Sequence, residues 1–376
     1  MIKSFKVRLL PTKEQEELMW KTINCSRFAY NWALNRWQEL YKNEAKCSMG
    51  GIRKEFTQLK KKEEYKWLNE VSSTAMIEAM RNLDKAFKSF FKKKSGYPKF
   101  KSKKKSKLNF YVRYDRMYLT SDTCNIEKIG KVKYKTNYNI PTGKDVSYMN
   151  PYCSFDGKYW YLSFSVEVNE NQVNLNKNLS IGIDLGIKDL AICSNGMVFR
   201  SINKTKTVKK LEKKLKRLQR QVSRKYKLNK DGNKYIKTNN IIKLEKQIKL
   251  IYRKLSNIRL NHIHQATSVI IKQCPYRIVM EDLNVSGMMK NRHLAKAVQE
   301  QCFYEFRRQI EYKSKLNGIE FVLADRFYPS SKTCCCCGHI KKDLKLKDRI
   351  YICDDCGLTI DRDYNASLNL MNYGLV

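Results

Sequence analysis

Apolar residues recur every third or fourth position in several stretches of the chain, and this spacing predicts amphipathic helices. The first helix starts at a capping-box pattern, Thr12 with Gln15. A later stripe of Met, Leu and Phe predicts a second helix with a buried core face: Met76, Met80, Leu83, Phe87 and Phe90. Residues 1–8 alternate apolar and cationic side chains, which predicts a strand.

From residue 108 to 168 the helical spacing gives way to short aromatic and β-branched runs separated by turns. The clearest strand is predicted at 159–166. We expect a small β-rich module there, a barrel. The polar, Asn-rich stretch 169–178 predicts a domain boundary near residue 178.

The second half of the chain predicts alternating strands and helices. Predicted strands at 180–186, 190–194 and 197–200 indicate that this half begins with three antiparallel strands. Two apolar stripes separated by a Gly-containing turn predict a basic helical hairpin over 205–262, although a dimeric coiled coil would show the same spacing.

The remaining elements complete a ribonuclease-H-like order of three strands followed by alternating helices and strands. They are a strand at 276–280, one helix marked by Val298, Cys302, Phe306 and Ile310, a strand at 319–324, and a last helix from Asp363. The order therefore predicts a nuclease-type α/β domain in the second half.

The formal net charge is +40, from 76 Lys and Arg against 36 Asp and Glu, and it is spread along the chain. This charge predicts a long polyanion as partner, because each neutralised phosphate releases counterions. One cationic stretch also interleaves aromatic side chains, which suits gripping phosphates while stacking on bases. Its candidate nucleic-acid-binding residues are Lys85, Lys88, Lys92, Tyr97, Lys99, Phe100 and Lys101.

No apolar run reaches the roughly 18 residues needed to cross a bilayer, and the first residues do not show the pattern of a signal peptide. We therefore expect no membrane partner and a bacterial-type cytoplasm or nucleoid as the location. Cysteines are kept reduced in such a compartment, so metal ligation is a better expectation than disulfides for the 13 cysteines.

Three acidic residues stand where a ribonuclease-H-like fold brings strand ends and a helix start together. Asp184 interrupts an apolar run, Glu281 ends another, and Asp363 opens the last helix. A charge in such a run is costly unless it binds a partner. Two-metal nucleases need converging carboxylates, and hard oxygen ligands select Mg²⁺, with Mn²⁺ as a substitute. We predict these three residues as catalytic ligands of two Mg²⁺.

Each acid alone also has a structural interpretation. Asp184 fits a turn residue, and Asp363 fits a helix N-cap. Asp282 and Asp361 compete with Glu281 and Asp363 for the ligand role, and Asp189 is expected at the surface. Three acids at the three expected places favour the metal site.

Two Cys-x-x-Cys pairs precede the last helix, at a spacing that predicts a structural zinc ribbon. The predicted ligands are Cys334, Cys337, Cys353 and Cys356. Four consecutive cysteines, 334–337, leave other pairings open, and His339 is a weaker candidate ligand. The scattered cysteines elsewhere are expected to be buried small hydrophobes. His262 and His264 lie in a helical stretch, where residues i and i+2 diverge, so we predict no metal there.

Eight segments of the chain together resemble the TnpB (OrfB) proteins of bacterial insertion sequences. They are 8–16, 27–32, 83–91, 96–101, 182–186, 281–284, 330–334 and 361–366. Ser367, where a second Ala is usual, and the run of four cysteines depart from the family pattern. Neither departure touches the three acids.

This resemblance implies an RNA-guided DNA endonuclease similar to compact type V CRISPR effectors. A RuvC-like domain then carries the Asp, Glu, Asp triad at Asp184, Glu281 and Asp363. The N-terminal helices and the barrel are implied to hold a guide RNA from the flanking element and to read a short motif beside the double-stranded DNA target. A monomer is expected. The alternative is a transposase, or an accessory DNA-binding protein of an insertion sequence, that uses no guide RNA.

The expected fold class is therefore α/β and multidomain, with helical and β-barrel nucleic-acid-binding parts before a ribonuclease-H-like (RuvC) domain that holds an inserted zinc ribbon. The predicted domains are an N-terminal strand and helical region at 1–107, a β-barrel at 108–178, the nuclease at 179–328, the ribbon at 329–360 and the last nuclease segment at 361–376.

Overall fold

A computed structural model describes residues 2–103, 105–169, 173–345 and 348–374. The chain divides into two compact units, residues 1–168 and 169–376. The division falls at the start of the polar stretch 169–178, of which residues 170–172 lie outside the described residues.

Unit 1 holds three long helices and a seven-stranded sheet. Its elements are β1 (Ile2–Leu10), α1 (Lys13–Lys42), α2 (Met49–Leu59), α3 (Ser73–Phe91), β2 (Asn109–Tyr111), β3 (Tyr118–Leu119), β4 (Thr123–Ile126), β5 (Gly130–Lys135), β6 (Met149–Phe155) and β7 (Trp160–Glu167).

The capping box predicted for α1 is confirmed. Thr12 Oγ1 accepts from the Gln15 amide at 3.3 Å, and Gln15 Oε1 accepts from the Thr12 amide at 3.1 Å. Of the Met and aromatic stripe of α3, Met76, Met80, Leu83 and Phe87 are buried in a core shared with α1 and α2, as predicted, whereas Phe90 is half-buried.

The sheet of unit 1 has the strand order β2-β6-β7-β1-β5-β4-β3. Here β1 lies between β7 and β5 and is antiparallel to both. Residues 2–10, which the sequence analysis grouped with the helices, thus pair with strands formed more than 100 residues later. Local pattern predicts the strand but not its partners.

Unit 2 contains a five-stranded sheet, two small hairpins and six helices among its described residues. Its elements are β8 (Asn176–Leu185), β9 (Asp189–Cys193), β10 (Val198–Arg200), α4 (Lys206–Leu228), β11 (Lys230–Asp231), β12 (Lys234–Tyr235), α5 (Asn239–Lys272), β13 (Pro275–Glu281), α6 (Val285–Met288), α7 (Ala295–Gln301), α8 (Phe303–Leu316), β14 (Glu320–Ala324), β15 (Ile350–Ile352), β16 (Thr359–Asp361) and α9 (Arg362–Asn372).

The main sheet of unit 2 has the order β10-β9-β8-β13-β14. Strands β8, β13 and β14 are parallel, whereas β9 and β10 continue from β8 in antiparallel fashion. The predicted ribonuclease-H-like order is confirmed. Because the three parallel strands end at one edge of the sheet, side chains at their carboxyl ends lie together there.

The predicted helical hairpin is also confirmed. The apolar stripes of α4 and α5 bury each other, with Val208, Leu215 and Leu218 packed with Ile251 and Leu255. The seam that a dimeric coiled coil would use is therefore filled within one chain.

The single helix predicted through Val298 and Ile310 is wrong. Cys302 adopts a left-handed conformation, φ 56° and ψ 42°, which ends α7 and separates it from α8. The heptad-like spacing continues across this break, so the spacing could not reveal it. Of the helices in the described residues, none combines the length and the apolarity that crossing a membrane requires.

Candidate active site

Two of the predicted acids lie side by side at the carboxyl edge of the main sheet. In the parallel pairing of β8 with β13, Ile183 is opposite Met280, which places Asp184 and Glu281 at equivalent positions on neighbouring strands. One carboxylate oxygen of Glu281 accepts from the Leu185 amide at 3.0 Å. This bond holds Glu281 beside the residue that follows Asp184.

The last helix reaches this edge because Gly182 leaves room for it. A Cβ at Gly182 would stand 2.0 Å from the Ser367 carbonyl oxygen and 2.3 Å from the Met371 amide nitrogen. The backbone of α9 therefore lies directly on β8, closer than a side chain would permit. The glycine before Asp184 sets the approach of the helix that carries the third acid.

Asp361, not Asp363, is the N-cap of α9. Its carboxylate accepts from the amides of Asp363 and Tyr364, both at 3.0 Å. Capping uses the side chain of Asp361 and leaves the Asp363 carboxylate for other contacts. Of these two acids, Asp361 is therefore the one that is occupied as a cap.

The charges of the three acids act on one another. Burial, and then the charges of Glu281 and Asp363, raise the pKa of Asp184 well above its usual range. Burial, with the charge of Asp363, raises the pKa of Glu281 to about 7 despite the bond from Leu185. Clustered anions of this kind are unfavourable until a cation joins them.

Asp282, the competitor of Glu281, is occupied elsewhere. It accepts from Arg307 at 2.6 Å and from Arg326 at 2.5 Å. The Arg326 guanidinium, with Arg307, lowers the pKa of Asp282, in contrast to the raised pKa of Glu281. Asp282 is a charge partner of arginines and is not part of the carboxylate cluster.

The four predicted cysteine ligands form one cluster. Their sulfur atoms all lie within 4.8 Å of one another, with 3.6 Å between Cys334 and Cys356 and 3.5 Å between Cys337 and Cys353. A tetrahedral ion with metal–sulfur bonds of about 2.3 Å fits such spacings. Cys336 is exposed and lies outside the cluster.

Each cysteine pair lies on the same kind of turn. The Cys334 amide donates to the His339 carbonyl and the Gly338 amide donates back to the Cys334 carbonyl; Cys353 repeats the pattern with Leu358 and Gly357. Gly338 and Gly357 have φ values of +79° and +72°, which glycine adopts without strain. Amides of Cys356 and Asp355 that face the Cys353 sulfur lower the pKa of this thiol to about 6.

Two buried asparagines of α9 fasten the first cysteine turn to the helix. Asn365 donates to the Thr333 carbonyl at 2.7 Å and accepts from the Cys335 amide at 3.0 Å. Asn369 donates to the carbonyls of Ser330 and Thr333 at 2.8 and 2.6 Å. The cysteine cluster and the helix of Asp363 are thus joined by hydrogen bonds from side chains to backbone.

Arg349, which was not among the predicted site residues, lies on the ribbon and contacts the third acid. Arg349 Nη1 is 3.5 Å from an Asp363 oxygen, and Arg362 Nη2 is 3.0 Å from the other. The Arg349 carbonyl also accepts from the Arg362 amide at 2.9 Å, next to the pairing of β15 with β16. A cation four residues before Cys353 was the only sequence signal.

The predicted nucleic-acid-binding residues of unit 1 have different surroundings. Lys85 and Lys88 on α3 form ion pairs with Glu78 at 3.6 Å and Asp84 at 2.8 Å. Lys92 follows α3 and is exposed. The ring of Tyr97, which is 42% exposed, packs edge-on against α3.

The other three, Lys99, Phe100 and Lys101, line a cavity of about 650 Å³ within unit 1. Asn31 holds the backbone of Lys101 through two bonds of 2.9 and 2.8 Å. Burial lowers the pKa of Lys101, and its Nζ lies 3.9 Å from the centre of the Tyr30 ring. Cations and aromatic rings around one cavity suit contact with nucleic acid.

A second cationic surface lies on α4, which carries 11 Lys or Arg and one acid, Glu212. Glu212 pairs with Arg259 and Lys296, which lie outside α4. Over the part of the chain that the structure describes, the α4 cations have no ion-pair partner. Such a helix attracts a polyanion.

Comparison with known proteins identifies similar families and relatives. Residues 163–292 match the OrfB_IS605 family, described as a probable transposase, residues 303–370 match the Cas12f1-like TNB domain, and residues 1–46 match a helix-turn-helix domain. A putative RNA-guided DNA endonuclease of Streptomyces pristinaespiralis is 31% identical over 375 residues, which cover 99% of this chain and 89% of the relative. The chain belongs to the TnpB (OrfB) family.

Further relatives support the TnpB assignment. The putative RNA-guided DNA endonuclease InsQ of Escherichia coli K12 is 29% identical over 392 residues, with 99% of this chain and 92% of InsQ covered. The cryo-EM structure of a Cas12f1–sgRNA–target DNA complex superposes with a TM-score of 0.58 at 15% identity, covering 99% of both chains. At that identity the similarity concerns the fold, and it confirms the predicted α/β multidomain class for this TnpB protein.

Proposed function

We propose that this chain is an RNA-guided DNA endonuclease that hydrolyses phosphodiester bonds of target DNA with two divalent metal ions. The observation that carries the proposal is the convergence of Asp184, Glu281 and Asp363 at one sheet edge, where burial and the neighbouring acidic charges raise the pKa of Asp184 and of Glu281. The guided character is supported by the family and by the names of its relatives. A transposase without a guide RNA is the less favoured function.

The three acids fit hard divalent metals. Carboxylate oxygens and a cluster of like charges suit Mg²⁺, with Mn²⁺ as a substitute, and exclude a preference for soft metals. When bound, such ions activate water and offset the charge on the leaving oxygen. The other tasks at the site are carried out by residues of the chain itself.

Each residue of the site has a definite task. Asp184, Glu281 and Asp363 supply the anionic oxygens, and the Leu185 amide orients Glu281. Asp361 caps α9, so that Asp363 stands at the first turn with its own carboxylate free of capping. Arg349 and Arg362 offset the charge of Asp363 when no metal is bound.

We propose one structural zinc ion for the cysteine cluster. Four thiolates without an open position suit zinc in a structural role. The ion would hold together the two cysteine turns, and through Asn365 and Asn369 it would steady the start of α9.

The partners that we propose are a guide RNA from the flanking element and double-stranded target DNA, with the protein as a monomer. The cations of α4 and the cavity of Lys99, Phe100 and Lys101 supply basic surface in the two units. Base pairing between guide and target would read the sequence, and the protein would read duplex shape and a short motif.

The test is depletion of a plasmid library with randomised bases beside a fixed target. The protein is co-expressed with RNA from the DNA that flanks its own gene, and Asp184→Ala runs in parallel. Depletion of one short motif by the wild type alone is the expected result. RNA that co-purifies without depletion would indicate a guided binder, and absence of bound RNA would favour the transposase.

A further inference from the structure

A cavity of about 430 Å³ opens beside the carboxylate site in unit 2. It shares Glu281 and Leu185 with that site, and its other walls include Tyr304, Arg307 and Arg326. Its volume lies in the range of small-ligand pockets, about 300–1,000 Å³. The function proposed above assigns no ligand to this space.

The wall of this cavity carries two arginines around one acid. Asp282 accepts from Arg307 Nη1 at 2.6 Å and from Arg326 Nη2 at 2.5 Å. Apart from Glu281, which the cavity shares with the carboxylate site, the charged residues of the wall are therefore two cations and one anion. Each guanidinium has five N–H donors, and the contacts with Asp282 use only some of them. Planar donors of this kind match a phosphate group.

The same wall presents an exposed aromatic ring. Tyr304 is 67% exposed although it lies in the first turn of α8, whose neighbouring Phe303 is only 2% exposed. The break at Cys302 starts α8 at this point, next to the cavity. An exposed ring beside phosphate-binding donors is the combination with which proteins hold single-stranded nucleic acid, because bases stack on the ring.

We propose that this cavity holds one nucleotide of the DNA strand being cut, next to the scissile phosphate, with its base on Tyr304 and its phosphate on Arg307 and Arg326. The inference rests on the proposed nuclease function and deepens it. Asp282 is then a positioning residue, because it holds both arginines at the wall.

Abasic scanning of the substrate tests this. Guide-loaded protein cuts a series of targets, each with one abasic nucleotide near the cut. The wild-type protein should cut about ten-fold more slowly when the abasic nucleotide is at one position next to the cut, because one stacked base is lost there. Tyr304→Ala should cut the intact target about ten-fold more slowly and show no further loss at that position, whereas Tyr304→Phe, which keeps the ring, should retain the position dependence.

A binding measurement separates this inference from the proposed function. In Asp184→Asn, which is expected not to cut, 2-aminopurine at the same position should be quenched, and adding Tyr304→Ala should restore its fluorescence. Tyr252→Ala, which removes an exposed ring on α5, is the control and should not restore it. Melting temperatures of all variants confirm folding.

The outcomes are distinct. Additive effects of the abasic site and Tyr304→Ala, or equal fluorescence with and without Tyr304, would overturn the inference. Wild-type protein that fails to cut, while quenching still depends on Tyr304, would overturn the nuclease function and keep the nucleotide site.

Discussion

The two candidate metal sites of unit 2 are built in opposite ways. The cysteine cluster comes from one short segment, 334–356, on two turns with the same backbone hydrogen bonds. The carboxylate cluster comes from β8, β13 and α9, and burial and mutual repulsion raise the pKa of Asp184 and Glu281. We infer that the ribbon needs its metal to fold, whereas the nuclease core must fold before it can hold its metals.

Removing one acid should have the largest effect and should separate the two sites. Asp184→Asn is expected to slow cutting on the order of a thousand-fold or more, because a ligand of the metals is lost. The same change should raise the melting temperature of the protein without Mg²⁺, because it removes a carboxyl group whose charged form is disfavoured by burial and by the charges of Glu281 and Asp363. Cleavage rates and thermal melting check both effects.

The control for this prediction is Asp189→Asn, on β9 outside the cluster, which should change neither quantity. A lower melting temperature for Asp184→Asn would show that Asp184 stabilises the fold and would contradict the electrostatic account.

Removing one thiol should break the ribbon. Cys334→Ser is expected to lower zinc content and melting temperature and to slow cutting about a hundred-fold, because the ribbon joins the helix of Asp363. Cys336→Ser, in the same run but exposed and outside the cluster, is the matched control. Equal zinc content in the two variants would rule out the proposed ligand set.

A methyl group at Gly182 should separate the last helix from the sheet. Gly182→Ala places a Cβ 2.0 Å from a backbone oxygen of α9, so the helix must shift, at a cost of about 3 kcal/mol. Gly50→Ala, in α2 with open space around it, should instead stabilise by about 0.5–1 kcal/mol. Urea unfolding measures both. A wild-type unfolding midpoint for Gly182→Ala would contradict the close packing.

These contrasts show what the sequence could predict. The cysteine site depends on spacing within one segment, so its two Cys-x-x-Cys pairs could be predicted from the pattern, and only the choice within 334–337 needed coordinates. The three acids could be named because Asp184 interrupts an apolar run, Glu281 ends another and Asp363 opens the last helix. The way in which they come together could not be predicted, since it requires the parallel register of β8 and β13 and the close approach of α9 at Gly182.

Other features gave no local signal. The break at Cys302 lies in an uninterrupted apolar stripe, and the place of β1 in the sheet depends on strands far along the chain. Arg349 is one cation among 76 Lys and Arg, and only the pairing of β15 with β16 brings it to Asp363.

The pH dependence of metal binding should distinguish the two clusters further. The pKa of Glu281 is raised to about 7, so without metal its contribution to stability is present below the unfolded pKa, about 4.5, and is lost as pH rises through 7. Protons therefore compete with Mg²⁺. At pH 8, Mg²⁺ at 100 times its Kd should stabilise the protein by about 2.7 kcal/mol. At pH 5.5 this stabilisation should be smaller by about 2 kcal/mol.

Thermal melting with and without Mg²⁺ measures this dependence. Glu281→Gln should weaken Mg²⁺ binding and flatten its pH dependence. Stabilisation by Mg²⁺ that is the same at pH 5.5 and pH 8 would contradict the raised pKa.

Arg349 joins the two sites, and its loss should have the smallest effect of these changes. Arg349→Gln is expected to keep the zinc content and the melting temperature, because the cysteine cluster does not include it, but to slow cutting about ten-fold. The reason is its position: the guanidinium is 3.5 Å from Asp363. A metal bound to that carboxylate would leave the arginine's donors available for the phosphate being cut. Arg349→Lys, which keeps the charge without the planar donors, should recover part of the rate. If Arg349→Gln cuts at the wild-type rate, the contact serves only to offset the charge of Asp363 in the metal-free protein, and the ribbon acts on the nuclease through Asn365 and Asn369 alone.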